Sequence, residues 1–192
     1  ESFSPRSRVA LAYDAARGRI VMFGGRIQTG LGMSDETWEY DGVTWTQVVT
    51  ANDPGDRYNY AIAYDSARRV IVLHGGTTTG TSYDDTWEYD GNDWTQVSTN
   101  GSPTLRSDPR MVYDPVGKRC LLIGGRLIGA PDESQTWQFD GSTSTWSQIP
   151  TPVAPTSTRY SWIAYDSWNH RTLLYGGSDA SLAALNELWQ FD

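Results

Sequence analysis

Residues 64–76 read YDSARRVIVLHGG, and residues 86–91 read TWEYDG. This pattern of a Tyr-Asp pair, a basic turn, an apolar run, a Gly-Gly pair and an aromatic segment occurs four times, every 49 to 52 residues. A repeat of this length, built from strand-like segments, is typical of the blades of a β-propeller. The glycine pairs and the Trp residues that follow them are Gly24 and Gly25 with Trp38, Gly75 and Gly76 with Trp87, Gly124 and Gly125 with Trp137, and Gly176 and Gly177 with Trp189.

Each repeat predicts four short antiparallel strands, which we name A to D. Strand A ends in the Tyr-Asp pair, and we expect the Asp carboxylate to accept backbone N–H bonds in the hairpin that follows. Strand B is apolar without alternation, as in Ile71-Val72-Leu73, which indicates a strand covered on both faces. The paired glycines fit a close approach of another element or a positive φ. Strand C carries the Trp, which we expect to pack against the adjacent blade, and an Asp-Gly turn leads into strand D.

The predicted fold class is therefore all-β, a propeller of four-stranded antiparallel blades with about four blades in this chain. We place them in a single domain, residues 1–192, with blades at about 6–50, 57–99, 106–150 and 159–192. The fourth blade is incomplete, because the sequence stops at Phe191-Asp192 before a strand D. We therefore expect the chain to be a trimmed piece of a longer one. A weak helical pattern is confined to Leu182 to Leu188.

These residues resemble the kelch repeat, in which an apolar strand ends in Gly-Gly and is followed at a distance by a Tyr or Trp pair. The motif of residues 87–91, Trp-Glu-Tyr-Asp-Gly, is most similar to that of bacterial kelch proteins. The resemblance implies a β-propeller, and kelch propellers commonly have six or seven blades. Three outcomes stay open here: a missing remainder, a tight four-bladed ring, or two chains that form an eight-bladed ring about a two-fold axis. In the isolated chain, open apolar blade faces predict self-association.

Composition and charge narrow the classes of partner. The formal net charge is -8 and the basic residues are scattered, which argues against a nucleic-acid-binding track. No apolar stretch approaches the roughly 20 residues of a membrane helix. Cys120 is the only cysteine, so an internal disulfide is excluded and the redox compartment stays open. Scarce lysine with abundant Thr, Ser, Gly and Trp favours an extracellular or cell-surface setting over others, although the localisation itself is unknown at this point.

The predicted binding face carries the B-to-C and D-to-A loops, because the B-to-C loops vary while their flanks repeat. Arginines recur on this face, and guanidinium groups at a pocket mouth could form bidentate hydrogen bonds with a carboxylate. In a eukaryotic kelch domain, arginines from similar places capture acidic peptides, so the resemblance implies an anionic ligand. The alternatives are a structural pairing for the arginines and packing between blades for the aromatic candidates. The candidate ligand-binding residues are Arg26, Arg126, Arg6, Arg57, Arg106, Arg159, Tyr83 and Trp162.

We predict no catalytic residue, no metal and no cofactor within the chain. The acidic pairs before strand C, such as Asp84-Asp85, lack the alternating spacing of a calcium loop. A copper site of the galactose oxidase type requires two His, two Tyr and a cross-linked Cys. The two histidines, His74 and His170, are predicted at opposite ends of their blades, and ligands so far apart cannot share one ion.

The sequence thus favours a non-catalytic kelch propeller scaffold. We expect it to bind a protein, peptide or glycan through the face that carries the B-to-C and D-to-A loops, with no nucleic acid and no membrane span. The alternative is a blade set of a larger secreted enzyme of the galactose-oxidase-like type, whose catalytic residues lie outside this chain.

Overall fold

A computed structural model of the chain describes residues 4–27, 32–127, 135–151, 153, 155, 158, 160–179 and 181–191. The regular structure of these residues is β-strand, arranged in antiparallel sheets that form the blades of a propeller. In chain order the strands are β1 (Arg6–Ser7), β2 (Leu11–Asp14), β3 (Arg19–Phe23), β4 (Arg26–Ile27), β5 (Thr37–Tyr40), β6 (Trp45–Val48), β7 (Ala61–Asp65), β8 (Val70–Thr77), β9 (Ser82–Tyr89), β10 (Trp94–Val97), β11 (Arg106–Ser107), β12 (Arg110–Asp114), β13 (Arg119–Ile123), β14 (Arg126–Leu127), β15 (Thr136–Asp140), β16 (Thr145–Ile149), β17 (Trp162–Asp166), β18 (Arg171–Tyr175) and β19 (Leu188–Phe191).

Each blade is a meander of neighbouring strands. The strand order is β2-β3-β5-β6 in blade 1, β7-β8-β9-β10 in blade 2, β12-β13-β15-β16 in blade 3 and β17-β18-β19 in blade 4. Two ribbons, β1 with β4 and β11 with β14, tie the segment before strand A to the segment after Gly-Gly in blades 1 and 3. The prediction of an all-β propeller is confirmed, and the described part of blade 4 has strands A to C without a strand D.

Consecutive blades pack face to face through their apolar residues. The inner strands contact each other in chain order: β2 with β7, β7 with β12, and β12 with β17. One buried cluster joins blade 1 to blade 2, and a second joins blade 2 to blade 3. Ile71 and Leu73 belong to the first cluster and Val72 to the second, and none of the three is exposed. The unbroken apolar run of strand B is therefore covered on both faces, as predicted.

The outer faces of the first and last blades carry exposed apolar side chains. On blade 1, Leu11 and Tyr13 are 53% and 59% exposed. On blade 4, Trp162 and Tyr175 are 79% and 53% exposed. The array of four blades therefore presents apolar surface at both ends, the feature from which we predict self-association.

The hairpin between strands A and B is built by the Asp of the Tyr-Asp pair. In blade 2, Asp65 Oδ1 accepts the backbone N–H groups of Ala67 and Arg68 at 3.0 and 3.1 Å. The equivalent Asp of each other blade accepts the corresponding pair of N–H groups, which confirms the predicted role. The four turn residues are Asp14, Asp65, Asp114 and Asp166.

The Gly-Gly pairs meet both conditions expected of them. Gly24 and Gly25 have φ values of 59° and 99°, a region that disfavours residues with a Cβ. A Cβ at Gly24 would lie 2.7 Å from the carbonyl oxygen of Arg57 in the next blade. The same carbonyl accepts the Gly25 N–H at 2.9 Å, so the pair allows the backbones of adjacent blades to approach.

The helical pattern at Leu182 to Leu188 is a wrong prediction. Asp179 Oδ1 accepts the backbone N–H groups of Ser181 and Ala183 at 2.8 and 3.0 Å, and this local turn replaces the first turn of a helix. Strand β19 then starts at Leu188. The apolar residues that suggested a helix connect strands B and C of blade 4.

Candidate functional site

A buried arginine, Arg57, contacts the Gly-Gly pair of blade 2. Arg57 donates through Nη1 to the Gly75 carbonyl oxygen at 3.0 Å and forms an ion pair with Asp85 at 2.6 Å. Asp85 also accepts the Trp87 indole N–H at 2.7 Å. The guanidinium, whose side chain is 1% exposed, thereby joins the end of strand B to the start of strand C.

Blades 1 and 3 repeat this arrangement. Arg6 and Arg106 each donate to the carbonyl oxygen of the first glycine of their own Gly-Gly pair, at 3.0 and 2.8 Å. Arg6 pairs with Glu36 at 2.6 Å, while Arg106 donates to the Gln135 side chain at 3.3 Å. These contacts give Arg6, Arg57 and Arg106 a role inside the blade, and a role in ligand binding stays a prediction for them.

Blade 4 departs from the pattern by one residue. The buried arginines stand eight residues before the turn Asp of their blades, and Thr158 holds that position in blade 4. Thr158 is 1% exposed, and its Oγ1 accepts the Gly125 N–H at 3.2 Å. Arg159, the fourth predicted arginine, lies outside the described residues.

The acidic residues before strand C take part in the same contacts. Burial acts to raise the pKa of Glu36, but hydrogen bonds from Arg6 and Trp38 hold this pKa below its ordinary value. Within the described ranges, no group of three or more His, Cys, Asp or Glu side chains is placed to hold a metal ion.

A cavity of about 1050 Å³ opens between the inner strands of the four blades. Its wall is formed by the first residues of strand A, by the residues just before them, and by part of the B-to-C loop of blade 2 from Thr77 to Ser82. The cavity therefore lies on the face predicted for binding. Small-molecule sites occupy roughly 300–1,000 Å³, so this cavity has room for a segment of a larger ligand.

The charged residues of the cavity wall are mostly basic. They are Arg8, Arg110, Arg126 and Asp108. Arg110 is paired with Asp108 at 2.9 Å and donates to the Ser161 carbonyl oxygen at 2.7 Å. Arg126 is exposed, and the described residues offer its guanidinium no hydrogen bond or ion pair. Among the described residues, the wall arginines Arg8 and Arg126 thus have no carboxylate partner, in a chain whose net charge is -8.

One backbone position at the cavity mouth repeats in all four blades. It lies six residues before each turn Asp, has a positive φ, and contributes to the cavity wall in every blade. Tyr58 and Trp162 flank this position in blades 2 and 4, and the Arg8 guanidinium lies 5.3 Å from the centre of the Tyr58 ring. The wall therefore carries an arginine in blades 1 and 3 and an aromatic ring in blades 2 and 4. The residues at the repeated position are Arg8, Asn59, Asp108 and Tyr160.

The structure brings only some of the predicted binding residues together. Arg126 and Trp162 line the cavity. Arg26 is half-buried at the corresponding point of blade 1, outside the cavity wall, and no described residue pairs with its side chain. The Tyr83 ring lies 4.2 Å under the Arg57 guanidinium, so this aromatic candidate packs within blade 2.

Sequence reasoning missed Arg8 and Arg110 as parts of the cavity. They could have been found by comparing the residue type at the same position of successive repeats, because this position varies while the repeat around it has a fixed length. The residue six before the turn Asp changes in every repeat, from Arg8 to Asn59 to Asp108 to Tyr160, while its distance to the Tyr-Asp and Gly-Gly pairs is constant. A variable position at a fixed place in a repeat is where binding specificity is usually found.

Two titratable residues that could suggest catalysis, His74 and Cys120, are buried. His74 is 1% exposed, lies 4.7 Å from the Trp146 ring, and places Nδ1 3.1 Å from Thr86 Oγ1. Burial lowers its pKa to about 3. Burial also raises the pKa of the Cys120 thiol, which favours an inert thiol over a nucleophile.

A protein-family model matches most of the chain and identifies its family. The KLHDC2/KLHL20/DRC7 Kelch-repeats domain matches residues 10–192. The chain belongs to the kelch-repeat family. Its propeller is of the kind commonly used as a protein-interaction scaffold, and the family is typically non-catalytic. A comparison with curated proteins gives no significant match.

The resemblance to kelch repeats is thereby confirmed over nearly the whole chain. The similarity to bacterial kelch proteins stays a prediction. The described residues include no helix with the length and apolar character that crossing a membrane requires.

Proposed function

We propose that this kelch chain is a non-catalytic scaffold that binds a protein, peptide or glycan through the face carrying the B-to-C and D-to-A loops. The cavity on that face carries the proposal. It takes wall residues from all four blades and holds two arginines, Arg8 and Arg126, without a carboxylate partner among the described residues.

The charge of the cavity favours an anionic ligand. Arg110 and Asp108 offset each other, so the excess positive charge comes from Arg8 and Arg126. Tyr58 and Trp162 add aromatic faces beside these cations, and such faces stack on peptide and sugar groups. Arg26 extends the same basic face onto blade 1.

The test uses a fluorescein-labelled hexaglutamate peptide, with hexaglutamine and hexalysine as matched probes, followed by fluorescence anisotropy. We expect hexaglutamate to bind best and its affinity to fall with added salt. The substitution Arg126→Ala should weaken binding by about fivefold, because an exposed ion pair contributes up to about 1 kcal/mol. Arg8→Ala should act in the same direction, and Arg26→Ala should have the smaller effect of a residue outside the cavity wall.

The control is Arg69→Asn, which removes an exposed cation from the A-to-B hairpin at the opposite end of blade 2. Asn tolerates the positive φ of this position better than Ala. Hexaglutamate affinity should be unchanged in this variant. Equal binding of the three peptides, or an equal loss in Arg69→Asn and Arg126→Ala, would contradict the proposed face.

A further inference from the structure

Arg110 lies at a position of strand A where the repeat does not require a cation. The position is four residues before the turn Asp of the blade, and it is held by Ala10 in blade 1 and by Ala61 in blade 2. Arg110 lines the cavity, and its Nε donates to the carbonyl oxygen of Ser161 in blade 4 at 2.7 Å. This bond uses one N–H group of the guanidinium and leaves the two terminal nitrogens for another partner.

The partner of these nitrogens is a carboxylate on the same cavity wall. Asp108 accepts from Arg110 Nη1 at 2.9 Å and from Nη2 at 3.5 Å, so the second contact is longer than an ordinary hydrogen bond. The two side chains are 27% and 23% exposed. Ion pairs open to water are weak, because solvent screens the charges and both side chains lose conformational freedom. The exchange of Asp108 for a second carboxylate therefore costs little.

The backbone of Asp108 is held by the neighbouring blade, whatever the side chain is. The Asp108 N–H donates to the Asn59 carbonyl oxygen at 2.9 Å, and the Asn59 N–H donates to the Arg8 carbonyl oxygen at 3.2 Å. These three residues share the positive φ of the mouth position, although their side chains are a carboxylate, an amide and a guanidinium. The fold uses the backbone of this position, so the carboxylate of Asp108 is available to act on Arg110.

We propose that Asp108 is an internal competitor, which occupies Arg110 until a carboxylate of the ligand displaces it. The inference rests on the proposed function and adds Arg110 as a third cation to the binding site. In the exchange, the ligand carboxylate takes both terminal nitrogens of Arg110, a geometry that the planar guanidinium favours, and the Asp108 carboxylate becomes hydrated.

The internal competitor makes the cavity more selective. Its charged wall residues are three arginines and one aspartate, a net charge of +2. The Asp108 carboxylate lowers the affinity for every anion, and a ligand regains the loss only if it offers a carboxylate that fits Arg110. A ligand attracted by charge alone is therefore disfavoured.

The test replaces Asp108 by Asn, the residue that blade 2 has at the same position. Asn keeps the size of the side chain and tolerates the positive φ. In the anisotropy assay, Asp108→Asn should bind labelled hexaglutamate about fivefold more tightly than the parent chain, because the competing ion pair is removed. The matched control is Asp84→Asn, which removes an exposed carboxylate of blade 2 outside the cavity wall. It should leave the affinity within about twofold of the parent value.

A double variant identifies the group that takes the ligand. Arg110→Ala introduces the residue that blades 1 and 2 have at this position. Combined with Asp108→Asn, it should bind hexaglutamate no more tightly than the parent chain does. Displacement of the labelled peptide by unlabelled trigalacturonate separates an acidic glycan from an acidic peptide as the source of the carboxylate. Whichever of the two the parent chain prefers should gain affinity in Asp108→Asn.

The melting temperature separates this role from a structural one. Asp108→Asn should melt within about 4 °C of the parent chain, since it removes only a solvent-exposed ion pair. A much larger decrease would assign Asp108 to the stability of the blade and overturn the inference.

The binding results also separate this inference from the proposed function. If the parent chain binds hexaglutamate but Asp108→Asn binds it equally, if Asp84→Asn gains as much, or if the double variant keeps the gain, the internal competitor is refuted and the proposed binding face stands. If neither the parent chain nor Asp108→Asn binds either probe, both fail. Binding by Asp108→Asn alone supports the internal competitor.

Discussion

His74 gives the most specific stability prediction, because burial favours the neutral form of its ring. Thr86 Oγ1 accepts the Trp146 indole N–H, so its own proton is available to His74 Nδ1 at 3.1 Å. Burial holds the His74 pKa at about 3 in the folded chain, against about 6.5 in an unfolded chain. A folded-state pKa below the unfolded value means that acid favours unfolding. This contribution to stability is present above pH 6.5 and decreases as the pH falls from about 6.5 toward about 3. From pH 7 to pH 5 this site in the unfolded state goes from about one quarter protonated to almost fully protonated, which lowers the free energy of unfolding by about 2 kcal/mol.

The test compares the parent chain with His74→Phe, since Phe23 occupies the equivalent position of blade 1. Urea unfolding followed by Trp fluorescence gives the free energy of unfolding of both chains at pH 7 and pH 5. The parent should lose about 2 kcal/mol more than the variant over this interval, whatever their difference at pH 7. His170 and all carboxylates are retained in both chains, so their contributions cancel. The same pH dependence in both chains would refute the assignment of a buried neutral His74.

Two further substitutions test the contacts that hold the blades. Arg57→Met should lower the free energy of unfolding by about 3 kcal/mol, because it leaves Asp85 without its buried partner, whereas Arg126→Met should change it by less than about 0.5 kcal/mol. Equal effects of the two, measured by urea unfolding at pH 7, would contradict the division of the arginines into structural and binding groups. Tyr60→Phe should cost about 1–2 kcal/mol, because the buried hydroxyl donates across the interface to the Phe23 carbonyl oxygen in blade 1. A melting temperature equal to that of the parent chain would show that this hydrogen bond adds nothing to blade packing.

The fold could be predicted in detail because each structural motif occurs in four copies of the repeat. A single Asp before a basic turn could occur by chance. Four Asp residues at a constant distance from Gly-Gly indicate a hairpin and its register. The failure at Leu182 to Leu188 has the same origin. This segment lies in a B-to-C loop, which the repeats do not share, so its apolar spacing had no second copy to correct it.

The binding site could be predicted only as a face. Composition and position identify Arg57 and Arg126 alike as basic residues near the loops, and neither distinguishes a buried guanidinium from an exposed one. The difference comes from three-dimensional contacts: Arg57 reaches Gly75 and Asp85, while the described residues place no partner near Arg126.

The backbone at the cavity mouth holds one residue of each blade in a strained conformation. The four residues at the repeated mouth position have φ values from 55° to 61°, where a residue other than glycine costs about 1–2 kcal/mol. Asn59 and Asp108 are of the types that tolerate this region best, but Arg8 and Tyr160 are not. Glycine would relieve the strain in both blades without disturbing the hairpins or the Gly-Gly pairs. A strained position that keeps a cation in one blade and an aromatic ring in another, both on the wall of one cavity, fits the ligand contact that we propose for this face.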